Sequence, residues 1–108
     1  MSPHRFFRHE RLIAYRLAVV VARWIRYEAR FPPRDNALKD QARRAADSVV
    51  LNLAEGCYRE GRDRQYHFRV AMGSAAECGS VLDLQDIPGA SQKQEDLRRV
   101  VALILGLV

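Results

Sequence analysis

Apolar residues recur at helical spacing through this 108-residue chain, and three breaks divide the pattern into four segments. The breaks are Pro32-Pro33, the turn over residues 56–61, and Pro88-Gly89. Proline cannot donate a backbone hydrogen bond inside a helix, and glycine permits tight turns. Because the connections are short, consecutive helices should be antiparallel neighbours. The pattern therefore predicts an all-α fold, an antiparallel up-down bundle of four helices.

Length and composition agree with one domain. The chain is 48% hydrophobic and 29% charged, which is typical of a folded protein rather than a disordered one. We expect residues 1–8 to form a flexible basic arm and residues 9–108 to form the bundle, with helices over about 10–30, 36–55, 62–86 and from 91 onward. Gly56 suits the position just past the second helix. Two cysteines without metal-like spacing, and no apolar leader, indicate reduced thiols of a cytoplasmic protein.

The first helix carries two apolar rows. The row predicted to form the inner seam of the bundle alternates by four and three residues: Ile13, Leu17, Val20, Trp24, Tyr27 and Phe31. The second row lies on the adjoining flank: Ala14, Ala18, Val21 and Ile25. Together the rows are wider than one neighbouring helix requires. The apolar run over residues 100–108 is also more than one bundle can cover, so the sequence predicts a closed homo-oligomer.

Polar residues interrupt the apolar stripes of the second and third helices. At about 100° per residue, Glu77 falls on the same stripe as Tyr66, Val70 and Val81, so we expect it to be buried. A lone buried carboxylate is costly, and Glu77 therefore needs partners from the facing helix. The predicted structural polar network comprises Gln41, Arg44, Ser48, Asn52, Ser74 and Glu77.

Two sequence motifs lie in this central part of the chain: ADSVVLNLAEG over residues 46–56 and AMGSAAE over residues 71–77. With them the chain resembles the small four-helix-bundle proteins encoded in intervening sequences of bacterial large-subunit ribosomal RNA genes. It is also similar to the accessory variability determinant of diversity-generating retroelements. The resemblance extends from about residue 10 to residue 108. It implies a homopentamer without known catalysis, and it leaves the task of an individual member open.

Positive charge is concentrated in the first part of the chain. Residues 1–70 hold 15 Lys or Arg against 8 Asp or Glu, whereas residues 71–108 hold 3 against 5. Four arginines share a sector of about 80° on the first helix, and three more follow the second helix. The predicted nucleic-acid-binding residues are Arg16, Arg23, Arg26, Arg30, Arg59, Arg62 and Arg64. A solvated polar face is the alternative interpretation of the helical cluster.

These features favour two non-enzymatic functions. The first is an oligomeric scaffold that binds RNA or DNA largely without sequence specificity, because repeated arginines multiply weak phosphate contacts. The second is a protein adaptor, and the resemblance to retroelement accessory subunits suggests a reverse transcriptase as its partner. An enzyme that uses buried Glu77 is the less favoured third reading.

The sequence also argues against a metal centre and a membrane segment. Di-metal bundles carry Glu-x-x-His motifs, but Glu55 is followed three residues on by Tyr58, and Glu77 by Ser80. The apolar runs are too short or too interrupted to span a bilayer. We therefore expect no catalytic residue, no metal, no cofactor and no membrane partner.

Overall fold

The computed structural model describes residues 7–108 and contains four α-helices. They are α1 (Ile13–Tyr27), α2 (Asn36–Cys57), α3 (Gly61–Asp83) and α4 (Ala90–Leu105). Short 3₁₀ turns over Arg8–Arg11 and Pro33–Asp35 precede α1 and α2. No strand occurs in this described range, so the prediction of an all-α, four-helix fold is confirmed. The predicted basic arm lies outside the described residues except for Phe7 and Arg8.

The helices form a four-helix bundle in which each packs against two others. Both α1 and α3 contact α2 and α4. Residues further along α2 contact residues nearer the start of α3. Gln41 is hydrogen-bonded to Glu77, Ser48 to Ser74, and Asn52 to His67. None of these four helices is both long enough and apolar enough to cross a membrane.

The first helix ends earlier than predicted. The backbone N–H groups of Glu28 and Ala29 both donate to the Trp24 carbonyl, at 2.9 and 2.8 Å, which closes the final turn. The chain then enters the Phe31-Pro32 segment, where the residue before a proline is restricted to extended conformations. Arg30 therefore lies beyond α1, and its predicted place on the helical arginine flank is wrong.

The inward face of α1 is the second apolar row, not the first. Ala14, Ala18, Val21 and Ile25 are at most 2% exposed. From the predicted seam, Trp24 is buried, but Ile13, Val20 and Tyr27 are 50%, 46% and 69% exposed. The small alanines allow α1 to approach its neighbours closely, so the helix turns this row inward. The predicted seam is therefore wrong for these three exposed residues.

The inward face of α3 is likewise built from small residues. Its buried side chains are Phe68, Ala71, Ala75, Cys78, Val81 and Leu82. Glu77 is exposed, so the prediction that it is buried is wrong. The hypothesis of an enzyme that uses a buried Glu77 therefore has no support. The predicted stripe included larger residues such as Tyr66, which is 60% exposed.

Gly56 belongs to α2 rather than following it, because the helix continues to Cys57. Its backbone does not adopt a positive φ, unlike Gly61 and Gly89 at the starts of α3 and α4. Gly56 is buried at the contact between α2 and α3. The glycine is thus explained by close helix packing, and its predicted role in ending the helix is wrong.

Candidate nucleic-acid interface

A row of hydrogen bonds connects α2 to α3 along the outer edge of their contact. The hydroxyl oxygens of Ser48 and Ser74 are 2.8 Å apart. The Asn52 amide nitrogen donates to the Ser48 carbonyl at 2.9 Å and to the Ser48 hydroxyl at 3.2 Å. Separately, the Gln41 amide donates to the Glu77 carboxylate at 3.3 Å. The structure thus places five predicted network residues in two hydrogen-bonded groups at the surface.

Arg44 does not join either group. Its Nε atom lies 3.5 Å from the Asp40 carboxylate, one helical turn away on α2. Arg44 does line a polar groove of about 320 Å³ together with network residues Gln41, Ser48, Ser74 and Glu77. Its guanidinium is therefore beside the network without bonding to it.

His67 was missed as a member of the polar row. Its Nδ1 atom is 2.9 Å from the Asn52 side-chain oxygen, and its Nε2 atom is 3.9 Å from an Asp63 oxygen. Since the Asn52 nitrogen donates to Ser48, its oxygen remains as the acceptor, and the Nδ1 atom of His67 must carry the proton. Gln41 and Glu77 are about equally distant along the chain from the turn over residues 56–61, and so are Asn52 and His67, so the sequence contained this signal.

The arginines on α1 differ in the groups that their guanidiniums contact. Arg26 makes a two-pronged contact with Asp47, at 3.1 and 2.9 Å, and this carboxylate raises the pKa of Arg26. Arg16 donates to the Glu10 backbone carbonyl at 2.7 Å. The guanidinium of Arg23 lies 5.4 Å from the centre of the Tyr27 ring. Both Arg16 and Arg23 are exposed, and neither of these contacts pairs the arginine with a carboxylate.

The arginines near the turn between α2 and α3 are similarly mixed. Arg59 lies between two carboxylates, with Nε 3.1 Å from Glu55 and an NH group 3.4 Å from Asp63. The hydrogen bond from Arg59 lowers the pKa of the Glu55 carboxyl. Arg62 is exposed, and Arg64 lies 5.0 Å from the centre of the Phe68 ring. Two of the three turn cations therefore have no ion pair among the described residues.

Comparison of the sequence with models of protein families identifies the family of this chain. The family model described as 23S rRNA-intervening sequence protein matches residues 10–100. The chain belongs to this family. No match is found among curated proteins. The matched region of this intervening-sequence protein includes α1, α2, α3 and most of α4, and hence both arginine clusters and the polar row.

Five predicted phosphate-contacting residues of the intervening-sequence protein have no carboxylate within 4.0 Å in the 7–108 range: Arg16, Arg23, Arg30, Arg62 and Arg64. Three other arginines have carboxylate partners. Arg43 and Arg44 on α2 pair with Asp40, and Arg98 on α4 pairs with Glu95. A guanidinium group without a carboxylate partner has its N–H donors available to an anionic partner and can bind phosphate with two hydrogen bonds.

The two thiols of the intervening-sequence protein are buried. Burial raises the pKa of Cys78 to about 12 and also raises the pKa of Cys57, where the Arg64 and Arg8 guanidiniums oppose the effect. Protonated thiols are poor nucleophiles and poor metal ligands. Within the described range, no group of three or more His, Cys, Asp or Glu residues is arranged to hold a metal ion.

Proposed function

We propose that this intervening-sequence protein is a non-enzymatic, oligomeric scaffold whose basic surface binds nucleic acid largely without reading its sequence. The observation that supports the proposal is that five of the seven predicted binding arginines have no carboxylate partner among residues 7–108. Phosphate contacts fix a protein on nucleic acid but carry no sequence information directly. The family description names ribosomal RNA, and RNA is therefore the first ligand to test.

Assembly is the second part of the proposal. Ile13, Val20 and Tyr27 are spaced by seven residues and are all exposed, so they form an apolar stripe along α1. Leu105 near the end of α4 is also 60% exposed. Burying this stripe against a second copy would remove it from water, and repetition of the contact closes a ring. The resemblance favours a pentamer, in which five antiparallel up-down bundles repeat each arginine cluster and raise avidity.

The absence of enzyme activity is also part of the proposal. Its support is chemical: Glu77 is exposed, and both thiols have raised pKa values that keep them protonated near neutral pH. Because reduced thiols and RNA binding are both typical of cytoplasmic proteins, we also propose a cytoplasmic location.

A matched pair of triple variants tests the phosphate contacts. One replaces the unmatched Arg16, Arg23 and Arg62 with glutamine. The control replaces Arg43, Arg44 and Arg98, which have carboxylate partners. Both variants lose the same net charge, so a difference between them reports local contacts rather than long-range attraction.

Fluorescence anisotropy with a labelled RNA hairpin would compare these two triple variants with the parent. We expect the first variant to lose most of the affinity and the control to keep most of it. Equal losses would show that net charge alone attracts RNA. No change in either variant would overturn the proposed contact surface.

A protein adaptor is the second candidate function, and a groove between α1 and α2 favours it. The groove has a volume of about 400 Å³ and an apolar wall that includes Val19, Val50 and Leu51, with Arg23 and Arg26 at its edge. Leu51 is 66% exposed. An apolar segment with acidic flanks would fit, and the resemblance suggests that a reverse transcriptase carries it. Val19→Gln, which adds no charge, should then abolish co-purification of that enzyme without reducing RNA binding.

A further inference from the structure

We propose that the cleft between Phe7 and Tyr58 binds unpaired bases of single-stranded RNA by stacking. This inference rests on the proposed nucleic-acid function and names the form of RNA that this end of the bundle takes. The cleft lies where the 3₁₀ turn before α1 meets the end of α2 and the first turns of α3. Its lining residues are Phe7, His9, Leu51, Asn52, Ala54, Glu55, Tyr58 and His67.

The cleft presents aromatic faces to solvent. Phe7 and Tyr58 are 62% and 48% exposed. The Phe7 and His9 rings are stacked, with centroids 5.3 Å apart and an interplanar angle of 10°. The backbone N–H of Arg8 donates to the Tyr58 hydroxyl at 3.0 Å, which fixes the position of that ring. Exposed and positioned aromatic rings are the surfaces on which single-stranded nucleic acids stack their bases.

The size and polarity of the cleft suit a base without selecting one. Its volume is about 670 Å³, within the range of about 300–1,000 Å³ typical of small-molecule sites. Both ends of the Asn52 amide are already bonded, to Ser48 and to His67, so they are not free to read base edges. The Nδ1 atom of His9 is buried, so it is not free to read base edges either.

Cations stand beside the aromatic faces. The Arg8 guanidinium lies 5.1 Å from the centre of the Tyr58 ring. Arg62 and Arg64 follow in the first turns of α3, immediately after the loop that holds Tyr58. These positions suit the phosphates on either side of a stacked base. Bases within a duplex are already stacked and paired, so the cleft should prefer single strands.

The test compares a labelled, unpaired uridine-rich RNA with an RNA hairpin of equal phosphate number whose short loop leaves no base unstacked. In the full chain, Phe7→Leu combined with Tyr58→Leu should weaken binding of the unpaired RNA by about 10-fold, because stacking is lost. Binding of the hairpin should stay within about 2-fold of the parent, since its phosphate contacts remain. Phe7→Tyr and Phe7→Trp keep the aromatic faces and the hydrogen bond from Arg8 to Tyr58, and both should retain the affinity. Emission from a 2-aminopurine base in the unpaired RNA should be quenched by the parent and by these two conservative variants only.

Three results would overturn the proposed cleft. In the first, the leucine variant binds the unpaired RNA as tightly as the parent. This result would refute stacking but would leave the proposed phosphate contacts standing. In the second, the leucine variant loses the hairpin equally, which would point to a general defect rather than to lost stacking. If the parent retained neither RNA, the proposed function would fail together with the cleft. Thermal unfolding of each variant shows whether Tyr58, which bonds Arg8, also supports the fold.

Discussion

Gly56 in α2 lies against the ring of Phe68 in α3. A Cβ atom placed on Gly56 would stand 2.6 Å from Cε1 of Phe68, closer than any normal contact. The Phe68 side chain is fully buried and cannot move away easily. This contact gives a physical reason for the glycine that ends the LNLAEG sequence, because only a residue without a side chain lets the two helices approach here.

Gly56→Ala should therefore destabilise the fold, even though alanine favours helix. Overpacking of a core typically costs about 1–3 kcal/mol, and we expect the free energy of unfolding to fall by about that amount. Gly73→Ala is the matched control, since nothing lies within 4 Å of a Cβ at that helical position. It should stabilise α3 by about 0.5–1 kcal/mol. Urea titration measures both, and a Gly56→Ala protein as stable as Gly73→Ala would refute the contact.

The hydrogen bonds of Asn52 predict the tautomer of His67. With the Asn52 nitrogen donating to Ser48, neutral His67 should carry its proton on Nδ1. Long-range ¹⁵N–¹H correlation spectra distinguish the two tautomers. Asn52→Ala removes the acceptor and should shift the proton toward Nε2. A parent protein with the proton on Nε2 would show that the polar row has another hydrogen-bond direction.

The buried thiols predict a loss of stability at alkaline pH. The pKa of Cys78 is raised from 9.0 to about 12 in the folded protein. Between these values the folded state holds a proton that the unfolded state releases, so stability falls as pH rises through this window. Cys57 shifts in the same direction.

Urea titrations at about pH 8 and about pH 10.5 measure this effect. Cys78→Ala removes the titrating group and should lose less stability between these two pH values than the parent. Tyrosine and lysine titration affects both proteins alike, so the variant corrects for it. An identical alkaline decline in the two proteins would show that Cys78 titrates normally.

The apolar stripe of α1 predicts how the protein assembles. Val20 lies at the middle of the stripe and is 46% exposed in the single chain. Val20→Asp should yield a smaller species in sedimentation, because a charge would have to be buried in the subunit contact. Helix content should be unchanged, since Val20 is not in the core of one bundle. Leu84→Asp, at a 71% exposed residue after α3, is the control and should leave the oligomer intact.

The sequence predicted the helices well because their breaks are chemically explicit. Proline at 32 and 33 and glycine at 89 determine where the segments separate, and α1, α2, α3 and α4 lie between the predicted breaks. It did not predict the rotation of α1, because both rows of that helix are apolar. In α3 the stripe was assigned from Val and Tyr, although Ala71 and Ala75 form the packed face.

The candidate site could be predicted only in part for a similar reason. Clusters of arginine can be recognised in a sequence, but the carboxylates that pair with them in the folded protein cannot. Asp47 reaches Arg26 from a different helix, 21 positions along the chain. The cleft likewise joins Phe7 to Tyr58 across α1 and α2, a long-range contact that local spacing does not encode.

Arginines without carboxylate partners should bind the phosphates of nucleic acid, and the salt dependence of RNA binding tests this most directly. Each phosphate neutralised by an arginine releases counterions, so log K should fall linearly with log salt concentration. For an oligomer that makes several contacts, we expect affinity for an RNA hairpin to fall at least about 10-fold between about 50 and about 200 mM salt. The slope should flatten when Arg16, Arg23 and Arg62 become glutamine. If the parent protein shows no salt-dependent binding of RNA or DNA in this range, the scaffold function is wrong and a protein adaptor is the better account.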